Sequence, residues 1–573
     1  MARAQPIVLL PAWRRRTLLI ALLACLTVLL GRAVYLQGMR TDFLQQKGDA
    51  RYSRTLVLSA HRGMIIDRNG EALAISTPVE SVWASPPDVT INTDKLKNLA
   101  QLLRIKPSEL SKKLENSDRE FVYLKRRMPP EEAARVMQLG IPGVFLQREY
   151  RRFYPAGDVA AHLIGFTGVD DKGQEGMELA YQDWLSGKAG SRRVIKDRQG
   201  HIIEDQEAVK VPQDGRDLSL SIDRNIQYLA YRELSRAVEQ HKAKAGGIIV
   251  LDSRTGEVLA LANQPAYNPN NPVNIAGRSR NRAIVDIFEP GSTLKPFTAA
   301  AVLEAGTYRA DTMIDTGNGT LTIGRRTIHD AHPAGVIDVA HVIQKSSNVG
   351  AAKMALSLQP HTLWNMFNEV GFGESAHANF PGEAAGRLRP WQHWQPIEQA
   401  TMSYGHGISL SLLQLARAYT IFANDGEIKP ISLLKLKEPP IGQHVISSQT
   451  AQTVRGMLEL VVQPGGTAPK AQVMGYRVAG KTGTAHKLVD GQYASNRYVA
   501  SFIGMAPASN PRLIIAVMID EPSDGQYYGG SVAGPVFSAV MGEALRKLAV
   551  PQDAPTNNIV IPPEDAQEVK EVV

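Results

Sequence analysis

The chain has 573 residues, 43% hydrophobic and 21% charged, ordinary globular values for a chain long enough to bury several cores. These values exclude disorder throughout, and a single long apolar run excludes a polytopic membrane protein. The lone cysteine, Cys25, excludes an internal disulfide and a Cys-based zinc site; of the net charge of +8, Arg3, Arg14, Arg15 and Arg16 supply four, which leaves +4 for residues 17–573 and little reason to expect nucleic acid.

Residues 17–31 carry no charge, and after Arg32 residues 33–39 are again uncharged. Fifteen apolar residues also suit the hydrophobic core of a cleavable signal peptide. No small-x-small cleavage site follows, however, and Arg32 stands where small residues are needed. The expectation is an uncleaved transmembrane anchor over residues 17–37, with Arg32 snorkelling to the far interface. The tight cluster Arg14–Arg16 favours a cytoplasmic N-terminus, residues 1–16, which puts the rest of the chain outside the cytoplasm.

Residues 52–206 read as a mixed, charge-rich segment with a turn at Arg68-Asn69-Gly70 and helices at 107–114 and 130–140. Its basic runs, Lys125-Arg126-Arg127 and Arg151-Arg152, are expected on a solvated face. Residues 212–215 mark a boundary, and 225–244 have helical spacing. Two apolar runs, 247–252 and 257–263, are joined by Ser253-Arg254-Thr255-Gly256 and predict a hairpin. A second hairpin, 498–505 with 512–520, turns at Asn510-Pro511, and 534–548 form an amphipathic helix. Residues 551–573 contain four prolines and many acids and are expected to be a mobile tail. Strands at both ends of residues 215–550, with helices between, predict an α+β domain whose sheet is mainly antiparallel, with helices on both faces and a helical subdomain.

Three short motifs carry the chemistry. The first is Ser292-Thr293-Leu294-Lys295, at the start of a helix predicted over 292–305 and closed by Gly306. The helix N-terminus favours a developing anion at Ser292. Lys295, three residues on, lies on the same face. A serine hydroxyl needs activation, and a neutral lysine can take its proton; burial and a second cation favour the neutral amine. The second motif is Ser346-Ser347-Asn348, in a loop between two helical stretches, where Ser346 can relay a proton to a leaving amine and Asn348 can hold an amide. The third is Lys481-Thr482-Gly483-Thr484 on a strand, whose ammonium and hydroxyls suit a carboxylate while Gly483 permits close approach. Each motif alone arises often by chance. Their order and the context of each point to one acyl-transfer site.

With these motifs the chain resembles the class B penicillin-binding proteins, which are peptidoglycan D,D-transpeptidases, and is closest to the division-specific penicillin-binding protein 3 type. Arg62-Gly63 with Asp67-Arg68-Asn69-Gly70, Arg151-Arg152-Phe153-Tyr154-Pro155, Gly165-Phe166 and Glu175-Gly176-Met177-Glu178 resemble the family's pedestal motifs. Ser403-Tyr404-Gly405-His406-Gly407, Gln414-Leu415-Ala416, Gly465-Gly466-Thr467 and Tyr527-Tyr528-Gly529-Gly530 follow in family order, with His406 as a departure. The resemblance implies a transpeptidase (penicillin-binding/β-lactamase-like) domain preceded by one transmembrane helix and an elongated mixed α/β pedestal of the dimerisation type. It implies Ser292 as the acylated nucleophile and Lys295 as its base. Ser346 and Asn348 would complete the proton network, and Lys481, Thr482, Gly483 and Thr484 would bind the terminal D-Ala carboxylate of a stem peptide or a β-lactam. The N–H groups of Ser292 and Thr484 would form the oxyanion hole. It further implies serine-type D-Ala-D-Ala transpeptidase or carboxypeptidase activity in septal wall synthesis at the inner membrane, with division-complex partners including a multi-span glycan polymerase, and no cofactor or metal.

Tyr498, Tyr527 and Tyr528 are expected as a cleft wall, with ordinary strand packing as the alternative. His329, His332 and His341 lack the carboxylate or cysteine company of a metal site. A β-lactam hydrolase or sensor on the same fold, or a non-catalytic scaffold, remain competing functions. The long pedestal and the lack of an E-x-x-x-N context after Asn348 count against hydrolysis, and the intact triplet counts against a pure scaffold.

Overall fold

The computed structural model describes residues 11–40, 53–115, 119, 121–196, 202–273, 275–489 and 491–560; residues 1–10 of the expected cytoplasmic segment and 561–573 of the expected tail lie outside them. Helix α1, Ala12–Val34, continues as a π-turn over Tyr35–Met39. The span 12–38 is long and apolar enough to cross a bilayer and buries none of its surface in the protein.

The remaining residues form two compact units. One comprises residues 78–150 and 188–214, together with the segment up to residue 60. In it, helices Thr93–Leu103, Pro107–Leu114 and Pro130–Gln138 bury Leu99, Leu103, Leu110 and Val136 with Val82, Leu124 and Val144 of the strands. Asn92 caps the first of these helices by accepting from the Lys95 N–H. Of the basic run, Arg126 pairs with Glu149 at 2.9 Å.

The other unit joins residues 61–77 and 151–187 to residues 215–573. Segments expected in the pedestal thus share one core with the catalytic sequence: Ile65, Leu73, Leu163, Met177 and Leu185 are buried with Ile226 and Leu259. A buried ion triad ties the two pedestal segments to one another. Glu178 accepts from Arg62 Nε at 2.7 Å and Arg152 Nε at 2.6 Å, with all three side chains essentially inaccessible. Arg152 belongs to a basic run expected on a solvated face; it is buried instead, donating from Nε to Glu178 and from Nη1 to Ser76. Arg151 is exposed.

The sheet of this unit has five antiparallel strands: β1 (Ala245–Asp252), β2 (Val258–Gln264), β3 (Ala479–Val489), β4 (Gln492–Ala506) and β5 (Leu513–Asp520). Their order is β2-β1-β5-β4-β3. The two expected hairpins are present, and the β1–β5 pairing, Ala245 opposite Asp520 through Asp252 opposite Leu513, joins them into one sheet. Both β1 and β5 are buried at every position, because helices cover both faces. A methyl group on Gly246 would meet Leu234, and one on its neighbour Gly247 would meet Leu412; successive strand residues face opposite ways. Leu234 lies in α2, Arg224–Gln240, which Asp223 caps. Leu412 opens the helix Leu412–Ala418, capped by Ser411. Strand β3 is an edge, open to a further extended chain.

Residues 551–560, expected to be mobile, are fastened to the loop that leads into β3. Asp553 accepts from Arg477 N at 2.7 Å, Asn558 bridges Gly475 N to Val473 O and Tyr476 O, and Gln472 exchanges two hydrogen bonds with Val560. Polar side chains on both segments thus pair with backbone groups of the other.

Candidate active site

The predicted helix at Ser292 begins as a 3-10 turn, Gly291–Leu294, and continues as α3, Lys295–Glu304. Gly306 ends it with φ +67°. In a 3-10 turn, residues three apart eclipse each other, which stacks Lys295 over Ser292. Lys295 Nζ is 2.9 Å from Ser292 Oγ. α3 is buried on nearly all sides, so Lys295 is 0% exposed and Ser292 4%.

The second motif follows α4, Val339–Lys345, and precedes α5, Asn348–Leu356. Ser346 ends α4 in the left-handed conformation, φ +60° and ψ +39°. For a residue with a Cβ this costs about 1–2 kcal/mol. The turn carries the Ser346 hydroxyl to 3.0 Å from Lys295 Nζ, which also donates to Ser346 O. Ser347 caps α5 through Gly350 N. Asn348, 7% exposed, donates to His329 O at 3.2 Å.

The third motif lies on β3. Lys481, 0% exposed, donates to Ser346 Oγ at 3.0 Å and to Thr482 Oγ1 at 3.2 Å. Thr482 Oγ1 is 2.7 Å from Thr467 Oγ1, and Thr484 Oγ1 accepts from Gly529 N at 3.1 Å. A methyl group on Gly483 would stand 2.7 Å from Pro290 O and 2.6 Å from Ser501 Oγ. Only glycine lets β3 lie this close to the Ser292 turn. The three motifs, far apart in sequence, thereby make one chain of contacts: Ser292 Oγ, Lys295 Nζ, Ser346 Oγ, Lys481 Nζ.

The surroundings are aromatic and largely buried. The Tyr404 ring lies 6.0 Å from Lys295 Nζ. His406, the departure noted in sequence, packs edge-on to Tyr404 and near Tyr493. Burial first, then the electrostatic influence of nearby Lys295 and His486, pushes its pKa down to about 4, so it is neutral at physiological pH. Burial raises the Glu289 carboxyl above its usual range, against hydrogen bonds from Gly407 N and Tyr493 Oη that pull it back. Beside Glu289 opens a cleft of about 940 Å³, walled by Phe288, Gly407, Ala485, His486 and Lys487. Tyr498, Tyr527 and Tyr528 form a separate stack. Tyr498 and Tyr527 are 4.1 Å apart and near-parallel, Tyr528 follows at 4.5 Å, and Tyr498 lies over His486 of β3.

Sequence reasoning missed Glu289, Tyr493, Asp330 and Thr467 as site neighbours. Thr467 lies inside a family motif and Asp330 beside His329, while Glu289 lies three residues before Ser292, yet no local pattern announces their contacts. His341 pairs with Asp338 at 2.7 Å, and no cluster of three or more metal-ligating side chains occurs among the described residues.

The chain is similar to known proteins over most of its length. Residues 246–542 match the penicillin binding protein transpeptidase domain, and residues 57–220 the penicillin-binding protein dimerisation domain. The chain is 45% identical over 542 residues to the probable peptidoglycan D,D-transpeptidase PenA of Neisseria gonorrhoeae, covering 94% of this chain and 93% of that one. It is 42% identical over 553 residues to the peptidoglycan D,D-transpeptidase FtsI of Escherichia coli (strain K12), covering 95% and 93%. Among solved structures, the apo transpeptidase domain of Burkholderia pseudomallei penicillin-binding protein 3 is 50% identical with a TM-score of 0.55, covering 59% of this chain and 98% of that one. A peptidoglycan synthetase of Bifidobacterium adolescentis is 26% identical with a TM-score of 0.71, covering 89% and 99%.

Proposed function

The chain belongs to the penicillin-binding protein transpeptidases, as a class B member of the PenA/FtsI type, and from that membership we propose which residues perform its reaction. It is a serine peptidoglycan D,D-transpeptidase of the septal type. Ser292 is the nucleophile. Lys295, desolvated and beside a second cation, is the neutral amine that takes its proton; such surroundings favour the uncharged form. Ser292 Oγ attacks the carbonyl between the two terminal D-Ala residues of a stem peptide. The oxyanion is held by the N–H groups of Ser292 and Thr484. Lys481, Thr482 and Thr484 hold the terminal carboxylate across Gly483, and Asn348 holds a substrate amide. Ser346 passes a proton from the lysines to the departing D-Ala amine. An amine of a neighbouring stem peptide then attacks the acyl-enzyme and releases Ser292. A β-lactam enters the same first step and stays. Tyr498, Tyr527 and Tyr528, stacked over His486 of β3 and outside the cleft at Glu289, line the approach to Thr484.

The observation that supports this reading is the continuous contact from Ser292 Oγ through Lys295 Nζ and Ser346 Oγ to Lys481 Nζ. The test is labelling with a fluorescent penicillin, mapping of the adduct and timing of its loss. The expected adduct is on Ser292, is absent in Ser292→Ala and persists for hours. An adduct on another residue overturns the assignment, and rapid loss makes the protein a hydrolase.

The apolar helix and the likeness to FtsI suggest membrane anchoring. The Arg14–Arg16 cluster supports a cytoplasmic N-terminus and a periplasmic catalytic domain. A reporter active only outside the cytoplasm, fused after Ala50, is then active; an inactive one reverses the orientation. Residues 52–206 act as the pedestal through which the enzyme joins the division complex, and the anchor packs with a multi-span glycan polymerase. A soluble fragment from residue 50 then still acylates but does not support septation.

A further inference from the structure

Asp330 follows the strand Arg326–His329 and touches neither Ser292 nor the two lysines. Both its carboxylate oxygens are spent on the turn that carries Ser346. Oδ2 accepts from Ser347 Oγ at 2.6 Å, and Oδ1 accepts from Val349 N at 3.0 Å. The preceding residue holds the amide between them, since Asn348 Nδ2 donates to His329 O. Asp330 is itself tied down, its N–H donating to Gly319 O at 2.8 Å. Residues 329 and 330 therefore grip Ser347, Asn348 and Val349 in succession.

That grip meets a specific need. Ser346 is a non-glycine residue in a left-handed conformation, which persists only where its surroundings over-determine it. On one side, Lys295 Nζ holds the Ser346 carbonyl and the Ser346 N–H returns to Ile343 O. On the other side, the Ser347 N–H returns to Val342 O at 3.0 Å, and Asp330 adds the hold on the Ser347 hydroxyl and the Val349 N–H beyond it. A hydroxyl that donates to a carboxylate has its hydrogen placed, so Ser347 Oγ keeps its lone pairs on Gly350 N and the chain leaves Ser346 in one direction.

We propose that Asp330 is a positioning residue for acyl transfer: by clamping Ser347 Oγ and Val349 N it holds Ser346 in the left-handed turn that places Oγ between Lys295 and Lys481. The proposal rests on the reading of Ser346 as the proton relay. Asp330 exerts its effect on the chemical step, through the relay distance, and not on the reversible binding of the β-lactam.

The test compares Asp330→Asn, Asp330→Ala, Ser347→Ala and the Asp330→Ala/Ser347→Ala double variant in the full chain. It measures the penicillin dissociation constant before acylation, the acylation rate constant and the melting temperature. The expected result is a tenfold or greater fall in the acylation rate constant for Asp330→Ala and Ser347→Ala, a dissociation constant within threefold, and a double variant whose loss is far smaller than the product of the two single losses, because the singles share the Ser347–Asp330 hydrogen bond. Asp330→Asn, which retains one acceptor oxygen, falls between Asp330→Ala and the parent. Acylation within twofold of the parent in folded Asp330→Ala, with only the melting temperature lowered, makes Asp330 structural and overturns the proposal. So do losses that multiply in the double variant. Ser346→Ala runs alongside: if it acylates normally, the relay reading fails; if it is slow while Asp330→Ala is not, only the positioning proposal fails.

Discussion

Lys295 and Lys481 direct their side-chain nitrogens at one oxygen, Ser346 Oγ, which lies 3.0 Å from each. One hydroxyl has one proton to give and two lone pairs to offer, so it can link two amines and pass a proton between them. Both lysines are 0% exposed, which keeps water from shorting the link. The two residues nevertheless have different tasks, and substitution separates them.

Lys295→Arg retains charge but cannot act as a base, because guanidinium stays protonated. Losing a general base costs about 10²–10⁴-fold, so the acylation rate should fall by about that factor. Lys481→Arg still offers a cation to a carboxylate and should lose less. Stopped-flow acylation of both variants checks this, with melting curves to confirm folding. Equal losses would mean that Lys295 supplies charge alone.

Gly405 packs against the Ser292 turn. A methyl group there would stand 2.2 Å from Gly291 O, at φ +89°. Gly405→Ala should destabilise the unit by at least ~2 kcal/mol through overpacking and strain and displace Ser292 from Lys295. Gly456, in the helix Ser448–Leu460, has nothing within 4 Å of the same methyl position. Gly456→Ala should stabilise by about 0.5–1 kcal/mol. Denaturant unfolding of the pair shows whether the opposite signs hold.

Glu178 neutralises two buried guanidiniums, those of Arg62 and Arg152. Removing one partner of a buried ion pair costs about 3–5 kcal/mol, because it leaves charge without compensation. Glu178→Ala should lower the melting temperature by many degrees or prevent accumulation of folded protein. What does fold should acylate at close to the parental rate, since the triad does not touch Ser292.

His162 is buried, with Nε2–H donating to Arg278 O at 2.8 Å. Burial first lowers its pKa from 6.5 to about 4, assisted by the charge of Arg282. Between these values the unfolded chain binds the proton and the folded one does not, so stability is full above about pH 6.5 and falls as the pH drops towards 4. The loss approaches about 3 kcal/mol at the lower end. Thermal melting from pH 7 to pH 4.5 should show a steeper decline for the parent than for His162→Gln, which keeps a donor but cannot titrate. Parallel declines would remove His162 as the source.

Local chemistry made much of this protein legible. Turn residues such as Ser253-Arg254-Thr255-Gly256 lie between runs of strand-forming residues, so both hairpins of the central sheet could be read directly. Three-residue spacing in a helical turn is enough to bring Lys295 to Ser292, and an uncharged run beside an arginine cluster gives the α1 span. These features depend on backbone period and on neighbours within a few residues, which any stretch of sequence carries with it. The tertiary structure decided the rest. It joined the hairpins through the β1–β5 pairing of residues some 260 positions apart, buried Arg152 on Glu178, drew residues 551–560 onto the approach to β3, and set the carboxylate of Asp330 under the turn of Ser346. A carboxylate or guanidinium has the same local preferences whether it ends in water or in a core. Its partner is chosen by which distant groups arrive unsatisfied at the same place, and that is known only once the chain has closed upon itself.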